Sequence, residues 1–281
     1  MTARRVLLFG HGIAASRSPS MMNQAFAAME VSARYESCDV GVDEFQRVFA
    51  DAMANENVVG ANVTAPHKLA VLTLCDAIHP LAARIGAANV VYRHDGRTVA
   101  CNTDAEGCVR ALRDEGVGVH GMNAVILGAG GAARAVAVGL AHAGARHVAV
   151  VARRIDRAND VALRASGVGS DASAYPWARL PEALARAELV VQATGARDER
   201  FMGQTLERAF ESVPAGVVAM DLGYVPAQTP WLVAARARGL RTVNGLGMLA
   251  HQGALALRHW FGRGLSADRM RRLLDVDEAS G

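Results

Sequence analysis

The stretch Ala124-Val125-Ile126-Leu127-Gly128-Ala129-Gly130-Gly131-Ala132-Ala133 runs from a short apolar segment through a glycine turn into an apolar helical stretch that ends near Gly144. Strand, G-x-G-x-x-A and helix in that order form the opening of a βαβ unit whose turn can take a dinucleotide. Without side chains at Gly128 and Gly130, the backbone can turn tightly and approach a pyrophosphate, whose charge then meets the amides of the helix N-terminus. Gly128, Ala129, Gly130, Gly131 and Ala132 are therefore candidate cofactor contacts. The competing reading is a glycine turn that serves only the chain reversal.

C-terminal to this turn, His147–Val151 reads as the next strand, and its end is where an Asp or Glu would hold the ribose 2′-hydroxyl of NAD. The sequence there is Ala152-Arg153-Arg154-Ile155-Asp156-Arg157. Guanidinium groups at Arg153, Arg154 and Arg157 suit a 2′-phosphate through charge-assisted hydrogen bonds. The expected cofactor is NADP rather than NAD, although Asp156 offsets part of the charge.

Before the turn, short apolar runs alternate with helix-period segments, the mark of an α/β chain with mainly parallel sheets. Strands are expected at Val6–Phe9, Tyr35–Cys38 and Val59–Val63, and helices near Ser20–Met29 and Asp43–Met53. Met22, Phe26 and Met29 share one helical face, as do Phe45, Val48 and Phe49, so both stripes read as core. The Asp95-Gly96 dipeptide between Asn89–Tyr92 and Thr98–Cys101 predicts a β-hairpin, and Asp104–Glu115 predicts a helix.

The whole chain, 281 residues with 51% hydrophobic and 20% charged side chains, is long enough for two domains and too apolar for disorder. Its net charge of +3 is spread along the sequence, which disfavours a nucleic-acid surface and suits a small anionic ligand. Four cysteines without C-x-x-C spacing argue against a zinc site or a disulfide framework and for a reducing cytoplasm. The first apolar run is too short for a signal sequence or a membrane span. The chain has 29 arginines and one lysine, Lys68. Arginine stays protonated at any working pH whereas lysine can give up a proton, so a proton-transfer role separates the two. Compositional drift toward arginine is the plain alternative.

Three polar segments fall at strand ends, where open α/β sheets bind ligands: Ser16-Arg17-Ser18-Pro19, Asn62-Val63-Thr64-Ala65-Pro66-His67-Lys68 and Asn102-Thr103-Asp104. Together with Gly86-Ala87-Ala88-Asn89, Gly128–Arg134, Tyr224 followed by Thr229-Pro230, and Gly245-Leu246-Gly247-Met248-Leu249 leading to Gln252, they make the chain resemble the shikimate dehydrogenase family nearly end to end. The resemblance implies an N-terminal α/β substrate domain completed by C-terminal helices (1–105 with 246–281). An NAD(P)-binding Rossmann domain (106–245) is inserted in it, and the active site lies in the cleft. It also implies that Lys68 and Asp104 are catalytic, and that Ser16 and Ser18, helped by Tyr224, hold a substrate carboxylate. Thr64, Asn89 and Gln252 would meet ring hydroxyls, and Thr194 and Gly245 would join the cofactor contacts. The implied activity is NADP-dependent interconversion of 3-dehydroshikimate and shikimate by a soluble cytoplasmic monomer or homodimer without a metal.

Each role has a bland counterpart. Asp104 could simply cap the helix that follows it, and Ser18-Pro19-Ser20 also reads as a helix start. His11 and His67 read as structural rather than as bases. Family-typical G-x-P-x-x-H-S is here Gly10-His11-Gly12-Ile13-Ala14-Ala15-Ser16, G-A-x-N-T ends in Val90, and N-R-T is Ala152-Arg153-Arg154. Loss of polar groups near the substrate relaxes discrimination between hydroxylation patterns, which keeps quinate or an amino-substituted shikimate open as substrates. A non-catalytic NADP sensor and an enzyme of related architecture acting on a folate-like substrate are the other readings. The retained Lys68 with Asp104 disfavours the first, and the paired Ser16 and Ser18 the second.

Overall fold

The computed structural model describes residues 4–194 and 213–278. The chain divides into two compact units, Met1–Gly107 with Leu249–Gly281 and Cys108–Met248. Both passages between them fall inside helices, Asp104–Asp114 and Leu246–Phe261.

The first unit holds β1 (Arg4–Gly10), α1 (Ser18–Ala28), β2 (Ala33–Asp39), α2 (Val42–Met53), β3 (Val58–Val63), β4 (Ala77–Ile78), α3 (Pro80–Ile85), β5 (Val90–His94) and β6 (Arg97–Cys101). Its six-stranded sheet has the order β2-β1-β3-β5-β6-β4. Strands β1, β2 and β3 run parallel, whereas β5 is antiparallel to both β3 and β6. The expected hairpin is present: Asp95 and Gly96 both have positive φ, as a two-residue type I′ turn requires. Both helical stripes face the core, with Met22, Phe26, Phe45 and Phe49 almost fully buried. Burial of each such side chain contributes about 1.5–3 kcal/mol. The sequence reading did not include β4 or α3.

The second unit begins within α4 (Asp104–Asp114) and continues through β7 (Asn123–Leu127), α5 (Gly131–His142), β8 (His147–Ala152), α6 (Ile155–Ser166), β9 (Asp171–Pro176), α7 (Leu180–Leu184), β10 (Leu189–Gln192), β11 (Val218–Asp221), the helix Pro230–Ala237 and β12 (Arg241–Val243). Its sheet has the order β12-β11-β10-β7-β8-β9, all parallel. Counted from β7, this is the doubly wound order 3-2-1-4-5-6 read from the far edge, and the strand order reverses between β7 and β10. The strands are near-continuous Val, Ile, Leu and Ala runs because helices cover both faces of such a sheet.

Candidate active site

Topology brings the polar segments of the first unit to one sheet edge. Ser16 and Ser18 follow β1, and Thr64 to Lys68 follow the adjacent parallel β3. Asn89 immediately precedes β5 and Asn102 follows β6, and both of those strands run so as to put these residues at that same edge.

There Lys68 Nζ donates to Asp104 Oδ2 at 2.7 Å, with side chains 13% and 6% exposed. Asn89 Nδ2 donates to Asp104 Oδ1 (3.0 Å) and Thr103 Oγ1 (2.9 Å), and also lies 3.3 Å from Gln252 Oε1. Two amide hydrogens face three acceptors, so one acceptor can turn to another donor. Asn89 Oδ1 accepts the Thr103 amide at 2.7 Å, which fixes which way the side-chain amide points. Gln252, on the helix Leu246–Phe261, donates through Nε2 to the Leu249 carbonyl.

Capping of α4 falls to Asn102, whose Oδ1 accepts the amides of Asp104 (3.0 Å) and Ala105 (3.3 Å). The capping alternative for Asp104 is thereby replaced, because its carboxylate is turned to Lys68 and Asn89 instead. His67 is structural: it is buried, stacked on Phe45 at 4.0 Å and bonded through Nε2 to the Val40 carbonyl. His11 is exposed and its Nδ1 lies 3.1 Å from Asp39.

Ser16 Oγ accepts the Ser18 amide at 3.3 Å, and α1 starts at Ser18 with Pro19 in its first turn. The loop before Ser16 is tied to Asp39, which accepts the amides of Gly12 and Ile13, each at 3.1 Å. Those bonds hold the Asp39 carboxyl below its usual range. Thr64 is half-buried on its loop. Val90 is fully buried within the sheet, opposite Asn62 and Cys101, so its apolar side chain serves the core.

In the second unit, Gly128, Ala129, Gly130, Arg153, Arg154, Arg157 and Thr194 line a cavity of about 390 Å³, together with Ala152, Trp177 and Ala193. Gly128 has φ +118°, and a Cβ there would stand 2.9 Å from the Ala193 carbonyl oxygen, so β7 and β10 can meet at the switch point only with glycine. A Cβ at Gly130 would meet nothing within 4 Å. Protein packing leaves that side of the turn open to a ligand, and the residues present fit a dinucleotide pyrophosphate. Gly131 is the first residue of α5 and Ala132 follows it.

Arg154 pairs with Asp156, Nη2 to Oδ2 at 2.6 Å, on the cavity rim. This hydrogen bond lowers the Asp156 carboxyl and raises the Arg154 guanidinium from their usual ranges. Behind the rim, Arg134 of α5 meets Asp160 of α6 at 2.5 Å, and Asp160 also accepts from Arg164. Burial lowers the Arg134 guanidinium from its usual range.

Gly245 does not line this cavity: a Cβ there would lie 2.2 Å from the Leu222 carbonyl oxygen, so the position is dictated by close packing. Tyr224 is half-buried in the second unit, whereas Ser16 and Ser18 belong to the first. The sequence does not single out Trp177 on the cavity wall, and it marks Asn102 as part of a polar segment without its capping role. Asn102 could have been recognised from Asx preference two residues before a helix. Among the described residues, no cluster of three or more His, Cys, Asp or Glu could hold a metal ion, and no helix is long and apolar enough to cross a membrane.

A parallel 3-2-1-4-5-6 sheet with an open glycine turn, joined to a second α/β unit in which a lysine pairs with a buried aspartate, defines a two-unit α/β protein of the dinucleotide-binding class. Residues 8–91 match the shikimate dehydrogenase substrate binding domain, 111–231 the shikimate / quinate 5-dehydrogenase family and 245–274 the shikimate 5′-dehydrogenase C-terminal domain. A shikimate dehydrogenase (NADP(+)) of Symbiobacterium thermophilum is 40% identical over 268 residues, 94% of this chain and 91% of the relative. The crystal structure of shikimate 5-dehydrogenase from Listeria monocytogenes in complex with shikimate and NAD gives a TM-score of 0.85 at 29% identity, covering 97% and 96% of the two chains. That of the Thermus thermophilus enzyme in complex with NADP(H) and shikimate gives 0.81 at 34% identity, covering 97% and 99%. The chain belongs to the shikimate dehydrogenase family.

Proposed function

We propose that this chain is an NADP-dependent oxidoreductase interconverting 3-dehydroshikimate and shikimate, with Lys68 as the acid–base group and Asp104 as its partner. The observation that carries the reading is the 2.7 Å bond between the chain's one lysine and a buried carboxylate, with the lysine inside the stretch, residues 8–91, that matches a shikimate dehydrogenase substrate binding domain.

When bound, the nicotinamide supplies or accepts the hydride at the ring carbon. In the reductive direction the carbonyl oxygen gains negative charge, and Lys68 Nζ donates a proton to it, forming the hydroxyl. The neutral amine then recovers a proton from solvent. In the oxidative direction the neutral amine of Lys68, its proton first lost to solvent, takes the hydroxyl proton as hydride leaves the carbon. Asp104 orients Nζ and balances its charge, and Asn89 holds the other oxygen of that carboxylate. We assign Ser16 and Ser18, with Tyr224, to the substrate carboxylate and Thr64, Asn89 and Gln252 to ring hydroxyls.

For the cofactor we assign Gly128 to Ala132 to the pyrophosphate, with Thr194 beside them, and Arg153, Arg154 and Arg157 to the 2′-phosphate, whose geometry guanidinium groups match. Gly245 stays in this reading as a cofactor contact through its backbone, with its lack of a side chain also required by the close approach of Leu222. Four free cysteines support a reducing, cytoplasmic setting.

The test is NADPH formation by the purified protein with shikimate, repeated with quinate and with NAD. Fastest turnover with shikimate and NADP is expected. Preference for quinate would move the substrate assignment, and preference for NAD the arginine assignment. No turnover with any pair, from protein that binds the cofactor, would favour the sensor reading.

A further inference from the structure

The cavity at the switch point of the second unit has cationic groups for a phosphate and small residues for a pyrophosphate, and its lining includes a single aromatic ring, Trp177. Trp177 opens a short turn, Trp177–Arg179, directly after β9. The last register pair between β8 and β9 joins Ala152 to Pro176, so Arg153 and Trp177 are the next residues beyond two adjacent parallel strand ends. The indole is half-buried against the apolar cluster containing Leu180 and Leu184, which holds it in place, while it also borders the cavity.

We infer that Trp177 is a cofactor-binding residue whose indole face stacks the purine base of the dinucleotide. The inference rests on the NADP reading above. With the 2′-phosphate on the arginines at the end of β8, the base attached to the same ribose needs a flat apolar wall within one nucleotide's reach. Trp177 stands one strand over from Arg153, at the same level. Stacking of a base on an aromatic side chain is a contact the arginines cannot replace with ion pairing, because it acts on the ring face and not on charge.

The experiment uses the full chain and adenosine 2′,5′-bisphosphate, which carries the base, ribose and 2′-phosphate but no nicotinamide. Affinity is measured by calorimetry for the wild type and for Trp177→Phe, Trp177→Leu and Trp177→Ala. Indole fluorescence is recorded in parallel. Trp177→Ala and Trp177→Leu are expected to raise Kd between about fivefold and a hundredfold, and Trp177→Phe to keep it within about threefold. Ligand-dependent quenching in the wild type is expected to vanish in Trp177→Phe, since the other two tryptophans, Trp231 and Trp260, are buried in cores. If Trp177→Leu binds as the wild type does, the ring is apolar filler and the inference falls while the NADP reading stands. If the wild type itself does not bind the bisphosphate, the cofactor reading falls and takes this one with it. The Phe and Leu variants preserve bulk, so a Trp177→Ala protein that fails to fold leaves the decision to them.

Discussion

The cluster around Lys68 and the cavity beside Gly128 handle charge in opposite ways. In the first, a part-buried ammonium faces a buried carboxylate, and Asn89, Thr103 and Gln252 are bonded around that carboxylate. In the second, the guanidinium of Arg154 is 62% exposed and its partner Asp156 stands only two residues away. A buried network of this kind is organised before any ligand arrives, so no reorientation of dipoles is needed as charge develops. An exposed ion pair is worth about 0–1 kcal/mol and can be exchanged for a better partner. One region is thus built to hold a geometry, whereas the ion pair of the other is exposed enough to be exchanged.

Breaking the first region gives the largest expected effect. Lys68→Ala should lower kcat by about 10²–10⁴-fold, the range for loss of a general acid–base group. The Kd for adenosine 2′,5′-bisphosphate should remain at the wild-type value, because the assigned cofactor contacts are untouched. Steady-state kinetics with shikimate and NADP, beside calorimetry, read both. A variant with kcat within tenfold of the wild type would remove Lys68 from the mechanism.

The scaffold behind the second region comes next. Asp160→Ala leaves Arg134 buried with its partner gone, and should cost about 2 kcal/mol of stability. That is less than the roughly 3–5 kcal/mol of a fully buried pair because Asp160 itself is 40% exposed. Denaturant unfolding checks the loss, and Asp160→Asn, which retains an acceptor, should recover part of it. Unchanged stability would mean that Arg134 finds another acceptor between α5 and α6.

How far these two regions could be read from the sequence follows from the range of their contacts. The glycine turn was legible because its requirements are local: a strand, a positive φ at Gly128 and a helix start fall within ten residues. The arginines after β8 were legible for the same reason. In the first unit, residue types and strand-end positions were visible, but not the bonds. Asn89 reaches Thr103, Asp104 and Gln252 across 14, 15 and 163 residues. Such pairing is decided by sheet order, which composition does not encode. Trp177 escaped because nothing flanking it is a motif; only the pairing of β9 with β8 puts it beside the arginines. Strand β4, two residues long, is too short for a period to register.

Two buried aspartates sharpen the contrast further. Asp104 has an ammonium partner, whereas Asp221, at the end of β11, accepts from the Thr229 hydroxyl at 2.6 Å and the Gly223 amide at 2.8 Å. Burial raises the Asp221 carboxyl above its usual range, although both bonds act the other way. A group that holds its proton more tightly when folded contributes stability that is full below the unfolded value, about 4, and is lost as pH rises through the folded value. Asp221→Asn removes that titration. The stability difference between variant and wild type should therefore shift in favour of the variant as pH climbs from about 4 toward neutral. Unfolding curves at several pH values would show this, and a difference independent of pH would mean that Asp221 titrates at an ordinary value.

The smallest effect tests whether the open region really trades partners. If Asp156 competes with the 2′-phosphate for Arg154, Asp156→Asn frees the guanidinium and should tighten NADP binding by up to about fivefold, the worth of an exposed pair. NAD binding should not change, since NAD brings no phosphate to that position. Added salt should erode the gain, because the attraction that replaces the ion pair is itself solvent-exposed and screened. Weaker NADP binding in the variant would reverse the interpretation: Asp156 would then be orienting Arg154 toward the phosphate, and the cavity rim would be as deliberately organised as the cluster around Lys68.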